Sequence, residues 1–430
     1  MGIRRLLKQI RKVIRDPGRL RRAVLRKRPG VVHVGRRAIS TKVKEWEGEY
    51  FKKEFENTEI GKACFEREMN ADKLFSTKPW KSLVAAKGPL WFSIPFYPEG
   101  KRLDMVAAAL DEPTRIEIAK QAISILFDIF FAGYAHRDFH AKNLFWIDEQ
   151  LVLVDYECLE PYPEGKRPPF PVSYDITGQG LESPFKTGRM CYTFERRAAV
   201  SLHSVLKVSV VQAIEEFCKD LKGRLHQACK TFASGRERHI CRAQRIYSSF
   251  ELPYFRVTPD ESQRDSLVRL KDFGIDEQVL RGKTVMDLGS NIGGMLFSIQ
   301  KYNPGHCLGI EYDLEKVLVA QQIAAYNGLN NVKLVQADID LINVQQLGGP
   351  CDVVFCLAVE AHVKNRKKLF EFLSQATTEV LYFEGNSTTV LEKTKKALTK
   401  VGFREVKMLG ISRDDVVPKN NCRPLFVATK

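Results

Sequence analysis

A short apolar strand that runs into a glycine-rich turn constrains this 430-residue chain more than any other feature. The strand Thr284–Leu288 reads TVMDL, and the turn after it reads GSNIGG before a helical pattern begins. Glycines in such a turn let the backbone approach a ligand closely, which is typical of a nucleotide-binding strand–turn–helix unit. The pattern therefore predicts a doubly wound α/β sheet in the C-terminal part of the chain.

Three further apolar runs follow, and two of them end in an acidic residue. Glu311 ends the second strand, 24 residues after Asp287, where a carboxylate can bind both hydroxyls of a ribose. Asp338 ends the third strand and is placed to meet an adenine amine. The fourth strand begins at Cys351. Together these strand ends predict a nucleoside-binding edge.

This series resembles the class I S-adenosylmethionine (SAM)-dependent methyltransferases over about residues 270–430. The spacing Asp-x-Gly-x-x-x-Gly favours SAM over a dinucleotide. The resemblance implies that SAM is the cofactor and that the following residues line its site: Asp287, Gly289, Asn291, Gly293, Glu311 and Asp338. The alternative is a doubly wound fold that no longer binds its ligand.

The end of the fourth strand faces the transferred methyl group in such folds, so the acceptor site is expected there. Glu360 and His362 follow that strand and are the candidates, with His362 taken as a catalytic residue. A histidine at a strand end is also often structural, and the pattern alone does not separate the two roles.

A second pattern, in the N-terminal half, has the spacing of a catalytic loop. His136-Arg137-Asp138 is followed five residues later by Asn143, and Asp155 comes twelve residues after Asn143, at the end of a predicted strand. Phosphoryl transfer needs a carboxylate that orients the attacking hydroxyl and accepts its proton, a role that suits Asp138. It also needs oxygen ligands for Mg²⁺ between the phosphates of ATP, and Asn143 and Asp155 suit that role.

The wider loop resembles the protein-kinase-like enzymes. His140 and the run Asp155-Tyr156-Glu157 are similar to the small-molecule, lipopolysaccharide-core and Kdo kinases, whose loop is H-x-D-x-H-x-x-N. The resemblance implies an α+β protein-kinase-like fold that uses ATP and Mg²⁺.

The chain before this loop should then supply a lysine and an acid that position the phosphates of ATP. A strand is predicted at 48–55, and Lys53 is the favoured lysine, with Lys52 as the alternative. The partner should come from the helix that follows. Glu68 fits best there, and Glu66 is the second choice.

Positive charge is concentrated at the N-terminus. The first 44 residues contain 16 Lys/Arg and one acid, whereas the rest of the chain contains 52 basic and 51 acidic side chains. Within residues 1–30, Ile and Leu recur at helical spacing among the basic residues. Such a basic amphipathic arm suits an anionic membrane surface. Nucleic acid, which also pairs with Lys and Arg, is the less favoured partner.

These observations predict three parts. Residues 1–30 form the basic arm, residues 31–240 a kinase-like domain and residues 241–430 a SAM-dependent methyltransferase domain. The expected fold class is two-domain: an α+β protein-kinase-like fold followed by an α/β Rossmann-like methyltransferase fold. No apolar run is long enough for a membrane span, and no cysteine array has zinc spacing.

A similar combination of activities occurs in bacterial enzymes that cap O-antigen polysaccharide, with the two domains in the reverse order. The resemblance implies a bifunctional enzyme that phosphorylates a sugar or glycan hydroxyl and methylates the glycan or its phosphate. A lipid-linked saccharide at the inner face of the cytoplasmic membrane is the expected substrate. The alternatives are an RNA-modifying methyltransferase with a kinase-like accessory domain, and a pseudokinase scaffold that carries an active methyltransferase.

Overall fold

The computed structural model describes most of the chain. The described residues are 31–34, 38–45, 48–173, 195–234, 237–241 and 243–430. The predicted basic arm, residues 1–30, lies outside them.

The described chain divides into two compact units. The first comprises the residues up to Pro163 together with Val172–Glu215, and the second comprises Glu164–Pro171 and Glu216–Lys430. The second unit therefore includes the described residues between 216 and 240, which the sequence analysis assigns to the kinase-like part. The functional border at residue 240 stays a prediction.

The first unit begins with an antiparallel sheet of five strands in the order β1-β2-β3-β5-β4. The strands are β1 (Val31–Val34), β2 (Ala38–Glu45), β3 (Gly48–Phe55), β4 (Ala86–Gly88) and β5 (Trp91–Pro95). One helix, α1 (Glu59–Phe75), lies between β3 and β4 in sequence. The Thr58 side chain caps this helix by accepting the Gly61 N–H, which satisfies one of its free donors. The predicted strand at 48–55 is confirmed.

A helical part with short hairpins follows the sheet. Its elements are α2 (Leu103–Val106), α3 (Glu112–Phe131), β6 (Tyr134–Ala135), β7 (Leu144–Ile147), β8 (Gln150–Leu153), β9 (Glu160–Pro161), α4 (Phe170–Ser173), α5 (Glu195–Leu206) and α6 (Val210–Cys229). Helices α4 and α6 each span a boundary between the two units, and most of α6 belongs to the second. Helix α3 is capped by Asp111, whose side chain accepts the Thr114 N–H, and it buries its apolar side. Strand β6 pairs with β9, and β7 forms a hairpin with β8. The candidate catalytic loop connects β6 to β7.

The second unit is built on a seven-stranded sheet in the order β18-β17-β16-β19-β20-β22-β21. Its strands are β16 (Thr284–Leu288), β17 (His306–Glu311), β18 (Val332–Gln336), β19 (Cys351–Leu357), β20 (Thr377–Glu384), β21 (Glu405–Ser412) and β22 (Arg423–Thr429). Neighbours from β18 to β20 pair in parallel, whereas β22 is antiparallel to both β20 and β21. The central strands are buried and nearly continuously apolar, as expected of a parallel sheet covered on both faces.

Helices connect these strands, and short strands precede them. The helices are α7 (Ser266–Phe273), α8 (Glu277–Leu280), α9 (Gly294–Ser298), α10 (Leu314–Tyr326), α11 (Arg366–Ala376) and α12 (Leu391–Lys400). The short strands are β10 (Thr231–Ser234), β11 (Glu237–Ile240), β12 (Ile246–Ser248), β13 (Phe250–Leu252), β14 (Phe255–Val257) and β15 (Ser262–Arg264). Strands β10 and β11 form an antiparallel hairpin.

In the described part of the chain, no single helix is long and apolar enough to cross a membrane. Two neighbouring helical segments, Ala198–Leu206 and Val210–Cys229, are long and apolar enough only when they are counted together, and the chain bends by 108° between them.

Candidate functional site

The glycine-rich turn after β16 is held against the neighbouring strand. The backbone N–H groups of Gly289 and Ser290 both donate to the Ile310 carbonyl, at 2.8 and 2.9 Å. Gly289 and Gly293 have φ angles of 70° and 77°, in the left-handed region that favours glycine. A Cβ atom on Gly289 would lie 2.6 Å from a methyl carbon of Val359. The turn therefore requires glycine both for its conformation and for its close packing.

Glu311 joins this turn to the end of β17. Its Oε2 accepts the backbone N–H of Asn291 at 2.8 Å, and its Oε1 accepts the backbone N–H of Asp313 at 2.9 Å. Asn291 reaches this position with a φ of 52°, which asparagine tolerates better than most residues. Each carboxylate oxygen keeps a free lone pair, so Glu311 can still accept two hydroxyl donors.

Asp287 and Asp338 lie in and after neighbouring strands of the same sheet. Asp287 is 3% exposed within β16, and burial raises the pKa of its carboxyl to about 8, with Arg269 opposing the rise and Glu311 adding to it. Asp338 follows β18, and its Oδ1 accepts the Asp340 N–H at 2.9 Å. All the predicted cofactor residues of the second unit are thus at or beside the carboxyl ends of β16, β17 and β18.

The residues at this edge fit SAM. Asn291 Oδ1 and Ser290 Oγ are buried and have no hydrogen-bond partner among the described residues. Buried polar atoms are normally paired, so two such atoms in one turn indicate a polar ligand. Glu311 would hold the ribose, Asp338 the adenine amine and Asp287 the positive charge of SAM.

The two acceptor candidates after β19 have different surroundings. Glu360 is ion-paired with Arg366, and its Oε2 accepts the Thr389 hydroxyl at 2.7 Å. Glu360 is therefore held in the structure and is not poised as a base. His362 is exposed, and its ring packs edge-on against Phe232 of β10 with the ring centroids 6.4 Å apart. Its role as a catalytic residue stays a prediction.

A buried network of charged groups at the end of β20 escaped the sequence analysis. Glu384, which is fully buried, lies 3.0 Å from Arg264 Nη2, 2.7 Å from Arg269 Nη2 and 3.4 Å from Arg423 Nη1. Arg264 Nε also donates to Asp414 at 2.9 Å. Although burial disfavours both carboxylates, these arginines lower the pKa of Glu384, and that of Asp414 to about 2. The sequence shows these charged residues but not their convergence from distant segments of the chain.

A separate cluster of charges lies in the first unit. Lys53 Nζ of β3 is 2.8 Å from Glu68 Oε1 on α1, 3.0 Å from Asp155 Oδ1 and 2.8 Å from Glu157 Oε1. Burial disfavours the Lys53 ammonium, but the negative charges of Asp155, Glu68 and Glu157 outweigh it and raise the pKa of Lys53 well above its ordinary value. The structure thus brings together Lys53, Glu68 and Asp155 from three segments of the chain.

Lys52, the alternative lysine, points elsewhere. Its Nζ pairs with Glu54 at 2.9 Å and lies 4.6 Å from the centroid of the Trp91 ring. Of the two neighbouring lysines, Lys53 is therefore the one within the carboxylate cluster.

Glu157 is the member of this cluster that the sequence analysis did not assign. Carboxylate oxygens of Glu68, Asp155 and Glu157 all lie within 4.8 Å of one another, a grouping that could hold a metal ion. The position of Glu157 two residues after Asp155 could have indicated this role, because side chains near a turn can converge.

The loop between β6 and β7 carries the remaining candidates. Asn143 Nδ2 donates to the backbone carbonyl of Asp138 at 3.1 Å, and His140 Nε2 is 3.6 Å from Asp138 Oδ1. Burial raises the pKa of Asp138, while His140 opposes the rise. His136 is 1% exposed, and burial lowers its pKa to about 4. A hydrogen bond thus joins Asn143 to Asp138 within this loop, which also contains the buried His136.

Comparison with known proteins bears on the second unit. Residues 280–408 match the family model of a methyltransferase domain. The protein-lysine N-methyltransferase EFM4 of Saccharomyces cerevisiae is 32% identical over 103 residues, which cover 21% of this chain and 45% of that protein. Ajmaline N-methyltransferase of Rauvolfia serpentina is 30% identical over 112 residues, covering 24% of this chain and 38% of that protein. This chain therefore spans less than half the length of these relatives.

Among solved structures, the crystal structure of EvdMO1 is similar at 18% identity and a TM-score of 0.34, covering 50% of this chain and 47% of that one. The family match agrees with the strand order of the sheet and with the glycine-rich turn. The C-terminal unit thus contains a SAM-dependent methyltransferase domain with a Rossmann-like class I fold.

Proposed function

We propose that this chain is a bifunctional enzyme that phosphorylates a sugar or glycan hydroxyl with ATP and transfers a methyl group from SAM to the glycan or its phosphate. The methyltransferase half is supported most directly by the bond from Asn291 to Glu311, which joins the glycine-rich turn to the ribose-binding carboxylate. SAM supplies an electrophilic methyl group on a positively charged sulfur. Asp287, as an anion, would favour that charge, and Glu311 would fix the nucleoside.

The kinase half is supported by the cluster around Lys53. A lysine between Glu68 and Asp155 is the arrangement that phosphoryl transfer requires, with the lysine directed at ATP phosphates and Asp155 at Mg²⁺. Asn143 would supply a further metal ligand, and Asp138 would accept the proton of the attacking hydroxyl. Glu157 adds a third carboxylate near the metal position.

The basic arm motivates the proposed location. Residues 1–30 contain twelve Lys/Arg and one acid, and each basic residue near an anionic surface contributes about 1 kcal/mol of binding. We infer that the arm holds the enzyme at the inner face of the cytoplasmic membrane, where a lipid-linked saccharide would be its substrate in bacterial surface-polysaccharide assembly. A chain without residues 1–30 should leave anionic liposomes but still bind SAM. Unchanged liposome binding, or binding that transfers to RNA, would contradict this location.

The order of the two reactions can be tested with one variant. A glycolipid extract would be incubated with labelled ATP and labelled SAM, using the wild-type chain and Asp138→Asn. The variant should neither phosphorylate nor methylate the extract, yet should methylate extract that the wild type has already phosphorylated. Full methylation of untreated extract by Asp138→Asn would refute the sequential scheme.

A further inference from the structure

The β10–β11 hairpin is fastened to the end of β17 through one buried carboxylate. Asp313 is 2% exposed and stands two residues after Glu311, where it caps α10. Its Oδ2 accepts the Ala233 N–H at 3.1 Å and lies 3.2 Å from Arg238 Nη2. Ala233 and Arg238 are opposite each other in the hairpin, so both strands of the hairpin contact the same oxygen.

Arg238 has two further contacts that direct its side chain along the hairpin and towards α10. Its Nη2 donates to the Thr231 hydroxyl oxygen at 3.1 Å and to Glu315 Oε2 at 2.8 Å. The Arg238 side chain is 41% exposed, whereas the Asp313 side chain is 2% exposed. Water and salt screen an ion pair with a buried carboxylate less than one between two exposed groups. The pair of Arg238 with Asp313 is therefore the contact that attaches the hairpin most firmly.

Asp313 also contacts the carboxylate predicted to bind the ribose. Its backbone N–H donates to Glu311 Oε1 at 2.9 Å, and its Oδ1 accepts the Glu315 N–H at 3.2 Å. One residue thus connects the hairpin, the first turn of α10 and Glu311. A displacement of Asp313 would move a hydrogen-bond donor away from Glu311.

The hairpin has a second attachment on the other side of β16. The Phe232 ring packs edge-on against His362 with the ring centroids 6.4 Å apart, and it also packs against His239 at 5.2 Å. Asp313 follows β17 and His362 follows β19, and these two strands flank β16 in the sheet. The hairpin therefore crosses the carboxyl end of β16, where the glycine-rich turn begins.

We propose that Arg238 is a positioning residue of the SAM site. Through Asp313 it holds Glu311 in the orientation that binds the ribose. The same ion pair keeps the hairpin across the site, with Phe232 against His362. This inference rests on the methyltransferase half of the proposed function and adds to its site a residue from outside the seven-stranded sheet. Because Arg238 acts through Glu311, its effect on cofactor affinity should be smaller than that of Glu311 and should depend on it.

Calorimetric titration of the full chain with S-adenosylhomocysteine tests the dependence on Glu311. Arg238→Gln should raise the dissociation constant about three- to tenfold, and Arg238→Lys, which keeps the charge, should restore most of the affinity. In a Glu311→Gln chain, the further change Arg238→Gln should alter the constant by less than about twofold, because the carboxylate through which Arg238 acts is already lost. Arg281→Gln is the control, since it removes an exposed arginine that pairs with Glu277, and it should leave the affinity unchanged.

The position of the hairpin can be followed at His362 by NMR of the chain labelled at histidine ring carbons. Phe232→Leu removes the aromatic ring that packs on His362, so its spectrum gives the signal of His362 without that contact. Arg238→Gln should move the His362 signal towards this reference, although Arg238 itself pairs with Asp313 and Glu315. A loss of stability alone would not produce that shift in the folded chain.

Three results would overturn the proposal: Arg238→Gln binds S-adenosylhomocysteine as tightly as the wild type, its loss of affinity is as large in the Glu311→Gln chain as in the wild type, or the His362 signal does not move. Failure of the wild type to bind S-adenosylhomocysteine would instead refute the proposed methyltransferase function.

Discussion

The backbone N–H of Asn291 donates to Glu311 Oε2 at 2.8 Å, so the glycine-rich turn and the end of the adjacent strand form one rigid edge. The left-handed backbone at Asn291 is what directs this N–H towards the carboxylate. Two backbone N–H groups orient the Glu311 carboxylate, which reduces the entropy that ligand binding must overcome.

Glu311→Gln should weaken SAM binding about 10- to 100-fold, because hydrogen bonds to a charged group contribute roughly 1.5–3 kcal/mol. Isothermal titration calorimetry measures the change. Glu315→Gln is the matched control, since Glu315 is exposed and pairs only with Arg238 among the described residues. Equal affinity of Glu311→Gln and wild type would exclude Glu311 from the cofactor site.

The pKa of about 8 at Asp287 makes SAM binding depend on pH. The positively charged ligand favours the ionised carboxylate, so affinity should rise as the pH increases through about 8. Below that pH, binding should release a proton, because the ligand lowers the pKa of the group. Isothermal titration calorimetry of SAM binding in buffers of different ionisation enthalpy would measure the proton that is released. Asp287→Asn should remove both effects, and a pH-independent wild type would contradict the assignment.

Glu384→Gln should destabilise the second unit by about 3–5 kcal/mol, because three buried arginines would lose a shared carboxylate. Scanning calorimetry measures this in the transition that S-adenosylhomocysteine shifts upward. Glu379→Gln is a control on the same strand, where an exposed carboxylate pairs with Lys283. That variant should change stability by at most about 1 kcal/mol. If Glu384→Gln and Glu379→Gln change the stability of the second unit by similar amounts, the buried network contributes little to that stability.

Lys53→Met should destabilise the first unit, because it leaves the carboxylates of Glu68, Asp155 and Glu157 close together without their lysine. All four tryptophans of the chain precede Pro163, so tryptophan fluorescence reports on this unit. Millimolar Mg²⁺ should stabilise Lys53→Met more than wild type, since the ion can replace the lost charge. Lys52→Met should behave as wild type. An Mg²⁺ response no larger in Lys53→Met than in wild type would argue against a metal position in the cluster.

The sequence predicted the parts of the fold that depend on local pattern. The strand at 48–55 and the strand–turn–helix unit at β16 are both present, because hydrophobic runs and glycines act over a few residues. The cluster around Glu384 was not predictable, because Arg264, Arg423 and Asp414 converge from segments far apart in the chain. The β10–β11 hairpin was not predicted from the sequence either.

The site residues also include some that local sequence patterns predict and others that only the tertiary structure shows. Lys53 and Glu68 could be paired from spacing and resemblance, and the structure brings them within 2.8 Å. The burial of Lys316 was not predicted either, because a lysine in a helix is usually exposed. Only tertiary packing shows that this lysine is buried.

The central claim is that one chain carries two separate sites, one for SAM and one for ATP with Mg²⁺. Calorimetric titration of the full chain with each ligand tests it most directly. The wild type should bind one equivalent of each. Asp287→Ala should lose SAM alone, and Asp155→Ala should lose ATP–Mg²⁺ alone. A wild type that binds SAM but no ATP–Mg²⁺, or a variant that loses both ligands while folded, would contradict the account.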